Sequence, residues 1–169
     1  MKKYSDNFAE KHLSHPDLQP DYIWNHPDFD FSDIGNCVDR LLDIHIHEGR
    51  GKSTAIQTFE TKWTFQDLYE KSNQIAHVLV DDLGFVSGNR VLIRSANNPM
   101  FVAIWFAVLK AGGIVVSTMP LLREKELTTI IDSAEISHAF CEISFCDDLN
   151  TVQSVFLKST TTFSSDTKT

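Results

Sequence analysis

Val91-Leu92-Ile93-Arg94-Ser95-Ala96-Asn97-Asn98-Pro99-Met100-Phe101-Val102-Ala103-Ile104-Trp105-Phe106-Ala107-Val108-Leu109-Lys110-Ala111-Gly112-Gly113-Ile114-Val115-Val116-Ser117 decides the fold. Val91 to Arg94 is a short β run. Asn98-Pro99 is an N-cap and first-turn pair. It opens an apolar helix that runs to Lys110. Gly112-Gly113 closes the helix, and Ile114 to Ser117 is the next β run. Further on, Pro120 to Leu122 leads into a helix over about 123 to 133. Its apolar stripe is Leu127, Ile130, Ile131 and Ala134. Ser137 to Cys141 is a third β run. The runs start near residues 91, 114 and 137. A spacing of about 23 residues is one strand-helix-strand step, which predicts a parallel sheet with right-handed crossovers. The expected fold class is therefore α/β. The helix from Met100 to Leu109 is hydrophobic all round, so cover on more than one side is expected. The second layer would come from the N-terminal helix or from protein outside this chain.

Upstream, Thr64 and Asp67 have the spacing of a capping box. Phe65, Leu68, Tyr69, Ser72, Ile75, Ala76 and Leu79 then recur at helical intervals, and Gly84 supplies the stop. Asn36 is a plausible N-cap for a helix over roughly 37 to 47, with Val38, Leu41, Leu42 and His45 on one face. Gly49 and Gly51 end it, and Thr54 to Phe59 is strand-like. Residues 1–35 read as an irregular arm with aromatic anchors at Tyr22, Trp24, Phe29 and Phe31. Asp147 to Gln153 is a weaker helical turn, and Ser154 to Leu157 is a further strand candidate. Residues 158–169 are mostly Ser and Thr and are expected to form a disordered tail. Residues 36–157 then form the α/β domain.

The chain has 169 residues, of which 42% are apolar and 22% charged. That is the profile of an ordinary globular domain, large enough for one core. Twenty-three acids against 15 Lys and Arg leave a charge of -8. This argues against a general nucleic-acid coat or an anionic-membrane binder, both of which need a basic face. Cys37, Cys141 and Cys146 are odd in number and sparse, so reduced thiols in the cytoplasm are expected. Met1 to Ser14 has no apolar signal region. The ten-residue apolar run falls short of the about 20 residues a membrane span needs.

Glu48-Gly49-Arg50-Gly51-Lys52-Ser53-Thr54 resembles the end of a phosphate loop. The first glycine should stand at position 46, which is Ile46. The segment also follows a helix and precedes a strand, the reverse of the required order, so a helix-to-strand connection is expected. His45, His47 and Glu48 resemble metal ligands. On a helix, however, residues two apart point about 200° from each other, so they do not converge. Gly84, Gly88 and Gly112-Gly113 lack dinucleotide-fingerprint spacing, and capping explains them. No glycine follows Gly113, so nothing downstream forms a backbone cradle for phosphates. Asp81-Asp82 and Asp147-Asp148 read as helix-end and loop charges. No catalytic residue and no metal site is assigned.

One resemblance is specific in its order and spacing. Trp63-Thr64-Phe65-Gln66-Asp67-Leu68 comes first, then Gly84-Phe85-Val86-Ser87-Gly88-Asn89-Arg90-Val91. Asn98-Pro99, Leu109-Lys110-Ala111-Gly112-Gly113, Pro120 and Leu127 follow. Together they resemble the N-terminal part of the AMP-forming adenylating enzymes, the acyl-CoA synthetases and ligases. Val115 to Leu127 is most similar to the benzoate- and 2-aminobenzoate-CoA ligase branch, as is the lead-in Asn36-Cys37-Val38-Asp39-Arg40. The resemblance implies an ATP-using ligase. It converts a carboxylate to an acyl-adenylate and pyrophosphate, and then to a coenzyme A thioester. ATP, Mg2+, coenzyme A and a small carboxylic acid are implied for the full-length family, with none bound by this fragment. The family's Ser/Thr/Gly-rich loop and its catalytic Lys match no position here, so an inactive fragment is expected.

Two other readings stand beside it. A lone subdomain would leave part of the apolar helix exposed, which suits a non-enzymatic module pairing with itself, a full-length ligase or another protein. The sheet pattern also permits a self-sufficient nucleotide-binding domain.

Overall fold

The computed structural model describes residues 5–21 and 35–164. The elements in chain order are α1 (Phe8–Lys11), α2 (Ile44–His47), β1 (Thr54–Gln57), β2 (Lys62–Thr64), α3 (Phe65–His77) and β3 (Arg90–Arg94). α4 (Pro99–Lys110), β4 (Ile114–Thr118), α5 (Glu124–Ser133), β5 (His138–Glu142), α6 (Cys146–Asn150) and β6 (Ser159–Phe163) follow. β1 and β2 form an antiparallel pair. The other four strands make one parallel sheet in the order β4-β3-β5-β6. The expected α/β class and strand-helix repeat are as read from the sequence, with strand starts at 90, 114 and 138.

The order forces the layering. From β3 the chain moves to one side to reach β4, then returns past β3 to reach β5. With right-handed crossovers, a reversed direction sends the helix to the opposite face. Accordingly α4 packs on Val91, Ile93 and Phe140. α5 and α6 pack on Leu92, Ala139 and Cys141, the residues of opposite parity. β3 and β5 thus pack helices on both faces and are buried along their whole length.

Nothing on α4 is exposed; every residue is buried or half-buried. Ile104 and Val108 face the sheet. Ala103, Val102, Phe106 and Leu109 face a second helical layer of Val38, Leu42 and Leu68. The expected cover is present, built from α3 and the helix that ends in α2. The exposed apolar surface suggested for a pairing module is therefore not found on α4. Asn98 caps the helix as expected, its Oδ1 accepting from the Phe101 N–H at 2.9 Å. Thr64 and Asp67 form the expected capping box. Thr64 Oγ1 accepts from the Asp67 N–H at 3.1 Å, and Asp67 Oδ2 from the Thr64 N–H at 2.8 Å.

Some expectations need correction. Asn36 does cap the next helix, accepting from the Val38 N–H at 3.0 Å. Asp39–Asp43 then winds as a π-helix, so the apolar face rotates off α-helical spacing. Val38 and Leu42 are buried, but Leu41 is 53% exposed. The larger correction is the Ser/Thr tail. Ser159 to Phe163 is strand β6, parallel to β5 and in register from His138–Ser159 to Glu142–Phe163. Residues 159, 161 and 163 are half-buried while 160 and 162 are exposed. That period of two is hidden in the sequence because Ser and Thr fill both faces. β-branched Thr suits an extended strand whatever its polarity. Ser154 to Leu157, the other strand candidate, is irregular. Of the aromatic anchors, Tyr22, Trp24, Phe29 and Phe31 lie outside the described residues, as do residues 165–169.

Part of the arm is ordered against the core. The Asp6 carboxylate accepts from Arg90 Nη1 at 2.6 Å and from Asn89 Nδ2 at 2.8 Å. The Arg90 guanidinium lies 4.4 Å from the centroid of the Phe8 ring. Burial pushes the Asp6 carboxyl up, but hydrogen bonds from the Phe8 N–H, Arg90 and Asn89 outweigh it and hold the group below the usual carboxylate range.

Gly113 explains the double glycine better than capping alone. Gly112 sits at φ +76°, as a helix stop requires, but a Cβ on Gly113 would strike Phe85 Cζ and stand 2.9 Å from Val108 Cγ1. Gly113→Ala should lower stability by about 1–3 kcal/mol in urea denaturation, the cost of overpacking. Ile104→Asp should cost on the order of 3 kcal/mol or more, because it places an unpaired charge between sheet and helices. An unchanged melting curve for Ile104→Asp would show that α4 is not in a core.

Candidate functional site

In open parallel sheets, ligands are taken at the carboxyl ends of the strands, where the strand order reverses. Here that point lies between β3 and β5. Arg94 ends β3 and Glu142 ends β5, and both are buried. β3 and β5 run side by side with Arg94 level with Cys141.

Arg94 is 1% exposed. Its Nε donates to the Phe145 carbonyl at 2.8 Å. Nη2 donates to the Pro120 and Leu122 carbonyls, each at 2.8 Å, and Nη1 reaches the Met119 carbonyl at 3.3 Å. Asp148 stands 3.7 Å away. One guanidinium thus ties the loop after β4 to the turn after β5. Glu142 does the same for the loop after β3. Its Oε2 accepts from Ser95 Oγ at 2.8 Å, from the Ala96 N–H at 3.1 Å and from Asn98 Nδ2 at 3.2 Å. The two charges set the shape of this rim, and their hydrogen-bonding groups are directed inward.

The same rim holds two thiols. Cys141 and Cys146 are both buried. Cys146 Sγ donates to the Glu142 carbonyl at 3.2 Å. Burial, with Cys146 alongside, pushes the Cys141 thiol well above its ordinary range. A buried, protonated thiol is packing rather than a nucleophile. Outside the rim, Arg123, Glu124, Lys125, Thr128, Thr129 and Asp148 border an open cleft of about 640 Å³. Arg123 Nη1 donates to Asp148 at 3.1 Å across it.

The motifs singled out in the sequence are dispersed. Glu48 to Thr54 connects α2 to β1 and is zipped to α3: the Gly51 carbonyl accepts from the Gln66 N–H and the Ser53 carbonyl from the Phe65 N–H. Its order, helix then strand, is the one read from the sequence. His45 stacks on Phe65 with centroids 3.8 Å apart, and its Nδ1 accepts from Arg50 Nε at 3.1 Å. Asp81 pairs with His77 on the exposed side of the helix. Among the described residues, no three His, Cys, Asp or Glu side chains come together as metal ligands. The donor set at the rim does not fit a nucleotide triphosphate either. Arg94 is surrounded by carbonyls, and residues 114–169 hold no glycine. Sequence reading missed the rim altogether. Neither Arg94 nor Glu142 was singled out, and only the pairing of β3 with β5 brings their loops together.

Arg94→Lys should loosen the rim. A lysine head cannot fork between the Phe145 and Pro120 sides, so carbonyls are left unpaired at a cost of about 2–4 kcal/mol. Hydrogen exchange should rise in residues 119–122 and 143–146 before it rises in β3. Unchanged protection there would show that Arg94 does not hold these loops.

The AMP-binding enzyme family matches residues 45–168. A long-chain-fatty-acid–CoA ligase of Bacillus subtilis (strain 168) is 38% identical over 84 residues, which is 50% of this chain and 15% of that protein. A salicylyl-CoA synthase / salicylate adenylyltransferase of Streptomyces sp is 28% identical over 110 residues, 63% of this chain and 20% of that protein. Among solved structures, the anthranilate CoA ligase AuaEII in complex with anthranoyl-AMP superposes with a TM-score of 0.71. It is 21% identical, with 76% of this chain and 25% of that chain covered, and it shows the shared fold. The match thus spans a quarter or less of each of these relatives. No helix among the described residues is long and apolar enough to cross a membrane. With nearly three quarters of its length matched, the chain belongs to the AMP-binding enzyme family.

Proposed function

We propose that this chain is the opening part of an AMP-forming acid–thiol ligase. In the whole enzyme the carboxylate oxygen attacks the α-phosphorus of ATP, forming the acyl-adenylate as pyrophosphate leaves, and the coenzyme A thiol then takes the acyl group as AMP leaves. The observation that carries the reading is the family match over residues 45–168, laid on a parallel sheet with a built rim at its switch point. This part supplies scaffold. Its buried charges, Arg94 and Glu142, position loops, while stabilisation of phosphate charge by cations and Mg2+ falls to other segments. Residues 36–163 are the section of the AMP-binding domain present here, and the piece alone does not turn over ATP.

The acid we propose is aromatic, of the benzoate or 2-aminobenzoate type. Val115 to Leu127 supports this, as does similarity to the salicylyl-CoA synthase, 28% identical over 110 residues.

This chain, supplied with ATP, Mg2+ and benzoate or 2-aminobenzoate, should release no pyrophosphate; release would overturn its inactivity. A chimera carrying residues 45–163 in place of the matching segment of the anthranilate CoA ligase should keep acid-dependent pyrophosphate exchange. A well-folded chimera without exchange would overturn the scaffold reading. Reading the coding sequence beyond Thr169 in all three frames, and expressing any continuous ligase, tests the acid. Palmitate preferred over benzoate would overturn the aromatic assignment.

A further inference from the structure

His138 opens β5 and is 1% exposed. Its Nδ1 lies 2.8 Å from Ser159 Oγ, at the start of β6. Its Nε2 is buried and has no hydrogen-bond partner among the described residues. The ring lies against Phe85, with centroids 5.6 Å apart. In register it is flanked by Val91 on β3 and by Ser159 on β6. The charged group that acts on it is Lys158, a cation, and no carboxylate among the described residues pairs with the ring. Lys71 of α3, which lines the neighbouring groove with Phe140 and Phe163, is a cation too.

We propose that His138 is an acid-sensitive latch: it holds β6 on the sheet while neutral and releases it when the ring takes a second proton. A neutral imidazole needs one bond to Ser159 and leaves one uncharged nitrogen against apolar walls. Protonation puts an N–H and a full charge at that nitrogen, with no acceptor and a lysine nearby. The cost of a buried unpaired charge is large, and the least disruptive escape is to let water reach the ring. β6 is the element that can yield. It is the last strand in the order, it pairs only with β5 among the described residues, and it is half-exposed along its length. β5 itself lies between β3 and β6. Release of β6 would also open the groove of about 250 Å³ in which Ile75, Met100, Ile104, Phe140, Thr161 and Phe163 meet.

The sign follows from the direction of the shift. Burial, with the Lys158 charge second, holds the ring below its ordinary value of 6.5. The open form therefore binds the extra proton more readily, and stability is lost as pH falls below 6.5. One pH unit below the free value, the opening constant rises by at most about tenfold.

Amide hydrogen exchange on the intact chain, corrected for intrinsic rates, tests this. Between pH 7.5 and 5.5, opening of residues 160–163 should increase by up to about tenfold while β3 stays protected, and His138→Gln should abolish the change. No pH effect at β6, an equal effect in β3, or an effect that persists in His138→Gln would each overturn the latch. If His138→Gln does not fold, Lys158→Ala decides. Removing an exposed cation that opposes the imidazolium should shrink the pH effect, and an unchanged effect would overturn the proposal.

Discussion

The structure depends on enclosing one helix. The segment Pro99–Lys110 has no polar stripe, so it is stable in water only when the sheet covers one side and other helices cover the rest. Much of the fold follows. α4 joins β3 to β4, which pair side by side, and α3 with the preceding helix lies across α4. The chain ahead of β3 is therefore part of the core. Val38, Leu42 and Leu68 are buried against Ala103. Asn36 reinforces the arrangement by donating from Nδ2 to the Leu109 carbonyl at 2.6 Å, which joins the start of one helix to the end of the other.

A second consequence is the rim. Once α4 takes one face, the return to β5 sends α5 to the other, and a crevice arises between β3 and β5. Here Arg94 and Glu142 spend their hydrogen bonds on three loops, those after β3, β4 and β5. Buried charges of this kind are costly unless paired; Arg94 is paired with backbone carbonyls, and Glu142 with the Ala96 N–H and the Ser95 and Asn98 side chains. The Arg90–Asp6–Phe8 contact at the opposite end of β3 does a similar job for the arm.

Local signals were legible. The Asn98-Pro99 start, the Thr64–Asp67 capping box and the stop at Gly112 are each set by hydrogen bonds within four residues, so sequence spacing suffices to find them. The two misreadings arose where local polarity was a poor guide. In Asp39–Asp43 a π turn shifted the buried face, which spacing cannot reveal. In Ser159 to Phe163 a polar composition looked disordered, because its strand character depends on the edge that β5 offers. The candidate site was not legible. Arg94 and Glu142 are 48 residues apart, and neither carries a motif.

By itself the sequence determined the α/β class, the step of about 23 residues, the need for a second layer over the apolar helix and the family resemblance. These rest on hydrophobic periodicity and short-range capping, which act within one or two turns of chain. Tertiary structure alone decided which strands are neighbours, that the Ser/Thr segment joins the sheet, and that one His138 nitrogen has no partner among the described residues. Those properties belong to distant segments brought together by the crossovers, and no local pattern encodes what a side chain will meet on the far side of a sheet.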